Sequence, residues 1–158
     1  MSKRTLHSQG YEQLAIAYAA LQHRRPWPGD PVLDREMTEI VAAVRANDDP
    51  TLRALIERIH TGDETAGIVA LWALHERLRA LVYSVAYFDT DRSVMFDDHL
   101  TIAWWVLREA NPAHNALADR VVSRTWRRYD RLHARSRPQA VTDLPEIGTG
   151  GDPTAERA

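Results

Sequence analysis

The sequence contains no cysteine among its 158 residues. A disulfide scaffold, an iron–sulfur cluster and a thiol nucleophile are therefore excluded, and a reducing compartment is the natural setting. No apolar run follows residues 1–4, so no signal peptide is predicted. The longest apolar stretches, at 66–74 and 100–107, are far shorter than the ~20 residues of a membrane span. We therefore expect a cytoplasmic protein with no membrane partner.

The sequence also lacks the short motifs that carry common catalytic or cofactor chemistry. No GxGxxG, GxxxxGK[ST], GxSxG or HExxH pattern is present. The glycine-rich segment 148–151 follows no strand-like segment, so we do not interpret it as a phosphate loop. Six of the seven histidines do not have the spacing of metal ligands: His7, His23, His60, His75, His114 and His133. We expect no cofactor, no metal and no enzyme activity.

Helical periodicity is the main structural signal. The composition, 44% hydrophobic and 27% charged, is typical of a globular protein with one core. Apolar residues recur at helical spacing in about six segments, and none alternates with period two for the length of a strand. An acidic or amide residue followed by proline predicts helix starts at Asp30, Asp49 and Asn111, and Asp63 is a predicted N-cap. The sequence predicts an all-α, single-domain bundle of about six helices over residues 8–137.

Three predicted segments matter for function. The segment 63–85 has apolar residues on more than one face, so we expect it to be the central helix. A helix over 93–110 and a last helix from Asn111 to about residue 136 follow it. Residues 1–7 are predicted to be a loose start, and residues 138–158, which have no periodicity, a disordered tail.

Positive charge is concentrated near the end of the chain. Residues 119–137 contain seven arginines and two aspartates, a net charge of +5, so the rest of the chain carries −7. Six arginines recur within an arc of about 100° on the last predicted helix. They are Arg120, Arg124, Arg127, Arg128, Arg131 and Arg135. Apolar residues occupy the adjoining arc, so the helix can pack on the bundle while it presents a positive stripe about 22 Å long.

Such a stripe can follow a nucleic-acid backbone, because arginine binds phosphate bidentately and an ordinary solvated face mixes charges of both signs. An acidic protein partner and a purely solvated helix face are the alternatives. If the stripe serves binding, we expect Arg124, Arg127, Arg128 and Arg131 to be exposed. If it serves folding, these arginines pair with carboxylates of earlier helices.

A second candidate surface lies on the preceding helix. Adjacent helical residues point about 100° apart, and Trp104 continues an apolar stripe. Trp105 is therefore expected at the edge of the core, where an exposed indole is a common anchor for a partner. Burial of both rings is the alternative. Asp97, Asp98 and His99 could form a metal or acid–base site, but the helix dipole alone explains acidic residues in a first turn.

The order of these features resembles the second conserved region of bacterial sigma factors. A long helix ends in residues 81–87, the acidic pair Asp97 and Asp98 opens an apolar helix through 104–108, and an arginine-rich aromatic helix covers 121–129. Small uncharacterised actinobacterial proteins share this layout. The resemblance implies that the acidic and apolar helix binds the RNA polymerase clamp and that the last helix opens and reads promoter DNA. Residues 100–103 are not the polar residues usual there, and residues 1–62 have no counterpart.

We therefore predict a nucleic-acid-associated regulatory protein that binds DNA, or an RNA polymerase complex on DNA, through its last helix. Two alternatives remain. The first is an interaction module, such as a homodimer, that uses Trp105 and its surroundings. The second is an enzyme whose site is built from dispersed residues such as Asp97, His99 and Arg108.

Overall fold

Six helices make up the part of the chain that this computed structural model describes, the backbone of residues 3–85 and 91–134 and the side chains of 10–85 and 91–134. They are α1 (Lys3–Ala19), α2 (Met37–Arg45), α3 (Asp49–His60), α4 (Glu64–Ser84), α5 (Arg92–Glu109) and α6 (Leu117–Leu132). These ranges contain no strand, which confirms the predicted all-α bundle. No helix within them is long and apolar enough to cross a membrane. The predicted tail, 138–158, lies outside the described residues.

The central position predicted for the fourth helix is confirmed. α4 packs against each of the other five helices. Its buried apolar residues therefore point in several directions: Ala66, Val69, Ala70, Ala73, Leu74, Leu78 and Val82. α5 lies beside α4, and α6 packs on α3, α4 and α5. The last helix consequently has one covered side and one side that faces away from the bundle.

Two of the predicted helix starts are confirmed. α3 begins at Asp49 with Pro50 in its first turn, where the missing N–H of proline removes no helical hydrogen bond. α4 begins after Asp63, whose carboxylate accepts a hydrogen bond from the backbone N–H of Ala66 at 3.2 Å. Between these helices Gly62 has a φ of +91°, a left-handed conformation that glycine adopts without steric cost at a helix end.

The helix start predicted at Asp30 was wrong. Its carboxylate accepts hydrogen bonds from the N–H groups of Val32 and Leu33 at 2.9 Å each, so the capping chemistry is present. Only a turn forms there, and α2 begins at Met37. The backbone N–H of Met37 donates to the carbonyl of Arg24 at 3.2 Å, so the end of the connection between α1 and α2 is tied back to its beginning.

Two further boundaries differ from the prediction. α6 begins at Leu117 and not at Asn111, whose side chain instead accepts a hydrogen bond from the N–H of Ala113 at 2.9 Å and forms a local turn. α1 begins at Lys3, within the predicted loose start. The predicted fifth helix is confirmed to within a residue, and the carboxylate of Asp91 caps its start.

Candidate nucleic-acid interface

The start of α6 is capped by a side chain of α3. The carboxylate of Asp49 accepts hydrogen bonds from the backbone N–H groups of Ala116 and Leu117 at 2.8 and 2.9 Å. The bond from Leu117, followed by that from Ala116, lowers the pKa of Asp49. Ala116 has a φ of +52°, so the chain turns sharply just before the helix. These contacts satisfy N–H groups that a helix start otherwise leaves without partners.

A second α3 side chain fixes the segment that leads into α6. Arg53 lies one turn after Asp49 and donates hydrogen bonds to the carbonyl oxygens of Pro112 and His114 at 2.6 and 3.2 Å. Residues 111–116 are therefore held by contacts with α3 although they form no regular secondary structure. Because both ends of this segment are anchored, the direction of α6 is set before its first turn.

The inner face of α6 is apolar and aromatic. Its buried residues are Leu117, Ala118, Val121, Thr125 and Tyr129. The ring of Tyr129 lies 4.4 Å from the imidazole of buried His99, measured between centroids, and the ring of Trp126 lies 5.9 Å from it. This packing on α5 orients the opposite side of α6 toward solvent, as the helical period requires.

Four arginines form the outward side of α6, and we call them the arginine face: Arg120, Arg124, Arg127 and Arg131. All four are exposed. Arg124 and Arg131 have no hydrogen bond or ion pair within the described residues, so their guanidinium donors are available. Arg127 donates to the hydroxyl of Ser123, one turn earlier, and Arg120 donates to the carbonyl of Asn115. The first and last of these arginines are about 16 Å apart along the helix axis.

Arg128 is not part of this exposed face. It is half-buried, and its Nη2 lies 2.7 Å from Oε1 of Glu109 in the last turn of α5. The hydrogen bond from Arg128 is the main cause that lowers the pKa of Glu109. The expectation that Arg128 is exposed like the other three was therefore wrong, because its position on the helix borders Val121 and the α5 contact. Arg135 lies outside the described residues.

The acidic residues of α6 do not neutralise the arginine face. Asp119 forms an ion pair with Arg77 of α4, and Arg77 also donates to the side chain of Asn47 at 2.9 Å. Asp130 also takes part in a hydrogen bond, an ion pair or another electrostatic interaction. At 100° per residue Asp119 and Asp130 lie on the flank of α6 beyond Arg127. The centre of the outward side therefore carries positive charge only.

Trp105 is exposed beside this region, as the spacing predicts. Its exposed fraction is 49%, whereas Trp104 is half-buried and lies against Gly67 of α4. The guanidinium carbon of Arg108 lies 5.0 Å from the centroid of the Trp105 ring. Because Trp105 lies one turn before Glu109, it is on the side of α5 that meets Arg128. The indole is thus available to a partner that contacts both helices.

The acidic pair on α5 is positioned differently from the expectation. Because α5 begins at Arg92, Asp97 and Asp98 fall in its second turn, so the dipole of a first turn does not explain them. Asp97 is 4% exposed and accepts a hydrogen bond from the backbone N–H of Tyr11 at 3.1 Å. The expectation that it faces a partner does not hold, because its carboxylate fixes α1 to α5. Asp98 is half-buried and also takes part in a hydrogen bond, an ion pair or another electrostatic interaction.

The dispersed catalytic residues considered from the sequence do not converge. Asp97 contacts α1, His99 packs on α6, and Arg108 lies over the two tryptophans near the other end of α5. Within the described ranges no three histidine, aspartate or glutamate side chains are grouped so as to hold a metal ion.

Sequence reasoning missed the residues that position and limit the arginine face. Local sequence signals indicate only a helix start at Asp49 and distinguish neither Glu109 nor Arg53. Glu109 could have been found from its place in the last turn of an amphipathic helix next to a basic one. No local signal connects Asp49 or Arg53 to a segment about sixty residues later.

Comparisons with protein-family models, with curated proteins and with solved structures found no match. The resemblance to a sigma-factor region therefore stays a prediction.

Proposed function

We propose that this protein is a nucleic-acid-associated regulatory protein that binds the phosphate backbone of DNA through the arginine face of α6. The observation that carries the proposal is that four exposed arginines occupy one side of a helix anchored on three others, and none of them pairs with a carboxylate within the described residues. An arginine helix that served only stability would direct these groups to acidic partners.

The spacing of the arginine face suits a charged backbone. Successive arginines lie about 4.5 to 6 Å apart along the axis, and duplex DNA carries one phosphate per ~3.4 Å of each strand. Each guanidinium can hold a phosphate with two parallel hydrogen bonds. The face contains no side chain suited to reading bases other than arginine itself, so binding that depends weakly on base sequence is expected.

The resemblance to the second region of sigma factors supports a finer form of the proposal. In that form the partner is promoter DNA held by RNA polymerase, and exposed Trp105 and half-buried Asp98 on α5 contact the polymerase. Buried Asp97 takes no part, because its carboxylate binds α1. Binding to free duplex and to a polymerase complex can be compared directly by adding purified polymerase to the same binding assay.

The test of the proposal is the salt dependence of binding. If four phosphates are neutralised, the logarithm of the association constant should fall with the logarithm of the salt concentration with a slope of about −3.5. Fluorescence anisotropy with a labelled random duplex and a labelled single strand, from low to physiological salt, measures this slope. No binding to either probe at micromolar protein and low salt would remove the nucleic-acid proposal.

A triple variant localises the binding to α6. Arg124→Gln, Arg127→Gln and Arg131→Gln together should reduce the slope to about −1, because three of four phosphate contacts are lost. The thermal midpoint should stay near that of the unchanged protein, because exposed charges contribute little to stability. Arg24→Gln removes an exposed arginine far along the chain from α6 and should leave the slope unchanged.

Self-association through α5 is the second candidate function. Trp105 is 49% exposed and Leu132, at the end of α6, is 66% exposed, so two large apolar side chains face solvent on neighbouring helices. Sedimentation velocity over a range of concentrations detects a dimer. If Trp105→Ala shifts a dimer to monomer while the salt slope of DNA binding is unchanged, the two surfaces are separate.

A further inference from the structure

We infer that a cleft between α1, α4 and α5 binds a small carboxylate ligand with a flat apolar body, and that Arg79 is its anchor. The cleft has a volume of about 200 Å³. Its lining residues are Tyr11, Glu12, Arg79, Tyr83, Ser93, Phe96 and Asp97. None of these residues belongs to α6, so the inference does not depend on the proposed binding of nucleic acid.

The guanidinium of Arg79 lies over two aromatic rings. Its guanidinium carbon lies 4.9 Å from the ring centroid of Tyr11 and 5.0 Å from that of Phe96. It has no hydrogen bond and no ion pair with any residue that the structure describes. The five N–H donors of its guanidinium are therefore open to water or to the acceptor oxygens of a ligand.

The surroundings of Arg79 favour a single negative charge over two. Two carboxylates line the same cleft: Asp97 is buried and accepts a hydrogen bond from α1, and Glu12 is exposed. These charges oppose a dianion more strongly than a monoanion. A planar carboxylate also matches the fork of a guanidinium that is already fixed by stacking.

The walls favour an apolar and flat body on the ligand. Phe96 is buried at one wall, and Tyr83 is 58% exposed. Aromatic side chains interact well with another ring placed beside them. The cleft is large enough for one such ring with its acid group, since a cavity of roughly 150 Å³ in another protein holds benzene.

The experiment is a titration of the full chain, labelled with ¹⁵N, by four probes: benzoate, acetate, benzamide and inorganic phosphate. Benzoate should shift the Nε–Hε signal of Arg79 and the backbone amides of Tyr83 and Ser93, with a Kd of roughly millimolar order, because so small a ligand gains limited binding energy. Acetate should bind at least about tenfold more weakly, because it lacks the ring that packs on Phe96 and Tyr83. Benzamide should cause no shift at these positions.

Three results of this titration would overturn the inference. Equal binding of benzamide and benzoate would mean that the charge of Arg79 is not used. Tighter binding of phosphate than of benzoate would mean a phosphate site. Absence of any shift at Arg79 with benzoate would mean that the cleft is not a ligand site.

Two substitutions in the cleft and one control complete the test. Arg79→Lys keeps the positive charge but loses the planar pair of N–H donors that binds a carboxylate, and it should weaken benzoate binding by about tenfold. Glu12→Gln removes an opposing charge at the cleft and should strengthen benzoate binding. Arg24→Gln, an exposed arginine outside the cleft, should leave benzoate affinity unchanged; equal effects of the Arg24 and Arg79 substitutions would contradict the inference. Circular dichroism checks that each variant is folded.

Discussion

The carboxylate of Asp49 caps a helix that begins 68 residues later, because its Oδ1 accepts a hydrogen bond from the backbone N–H of Leu117 at 2.9 Å. Helix caps usually come from the residue just before the first turn. Ala116 occupies that position in α6 and has no side chain that can accept. The cap of the proposed nucleic-acid helix is therefore supplied by tertiary structure, and α3 and α6 are coupled through one side chain.

Asp49→Ala should lower the free energy of unfolding by about 1 kcal/mol, the usual effect of losing a cap. Chemical denaturation measures this change, and hydrogen exchange should show faster exchange of the Leu117 amide. Glu57→Ala removes a carboxylate from an exposed position of the same helix and serves as the control. Since hydrogen bonds lower the pKa of Asp49, its contribution is present above the ordinary carboxyl pKa and is lost as the pH falls through the lowered pKa. A variant with unchanged stability at neutral pH would show that the cap has no energetic role.

Glu109→Gln should strengthen DNA binding. The substitution releases Arg128 from its ion pair and removes the carboxylate at that border of α6. One additional phosphate contact would make the salt slope steeper by about 0.9. Anisotropy titrations at several salt concentrations measure both effects, and Glu57→Gln is the matched loss of charge on a different helix. Weaker binding by the Glu109 variant would mean that the ion pair positions α6 for DNA.

His99 makes stability depend on pH near neutrality. Burial is the main cause that lowers its pKa, and nearby His133 acts in the same direction, while the hydrogen bond with the Met95 carbonyl opposes them. Its Nε2 is buried and has no hydrogen-bond partner among the described residues. The folded protein therefore keeps His99 neutral at a pH at which the unfolded chain takes up a proton.

The sign of this dependence follows from proton uptake. Below the unfolded pKa of about 6.5 the unfolded state binds more protons, so stability falls as the pH is lowered. Thermal midpoints measured from about pH 7.5 to 5 should fall less steeply in His99→Phe than in the unchanged protein. His23→Gln, which replaces a histidine at an exposed position, is the control. His75 is also buried with a lowered pKa and accounts for part of the remaining slope.

Gly67→Ala should destabilise the bundle by about 1–3 kcal/mol, the usual effect of overpacking a core. A Cβ at this position would overlap the six-membered ring of Trp104, which lies directly on the α4 backbone. Gly10→Ala is the matched helical control, because its Cβ would come no closer than 3.5 Å to Asp97 Oδ1. The second substitution Trp104→Leu should recover part of the loss in the Gly67 variant. A purely additive double variant would show that the ring is not the cause.

Much of the fold could be predicted because helical period and capping are local. The starts at Asp49 and Asp63 follow from side chains within the same turn, and exposure of Arg124 and Arg131 follows from the period alone. The same local signals failed at Asp30 and at the start of α6. In both places a contact with a residue elsewhere in the chain contributes to the structure. The N–H of Met37 binds the carbonyl of Arg24, and the N–H groups of Ala116 and Leu117 bind the carboxylate of Asp49. The local sequence alone therefore does not distinguish a turn from a helix start.

The candidate site could be predicted only in part for a related reason. The arc of arginines on α6 is a property of one helix, whereas the removal of Arg128 from that arc requires Glu109 of another. No local sequence pattern indicates a binding role for Arg79, because this role depends on its contacts with Tyr11 and Phe96, which lie on two other helices. Pairings between helices depend on their relative rotation, which a single sequence does not encode in any local pattern.

The central position of α4 has a consequence for how the chain acquires its structure. Every other helix packs against α4, so the outer helices cannot form the complete hydrophobic core before α4 is in place. We expect folding in a single cooperative step with a transition state organised around α4, as is common for domains of this size. The hydrogen bonds of Asp49 and Arg53 with residues 112–117 join distant parts of the chain, and we expect contacts of such long sequence separation to form late. Substitutions of Asp49 or Arg53 should therefore change the rate of unfolding more than the rate of folding.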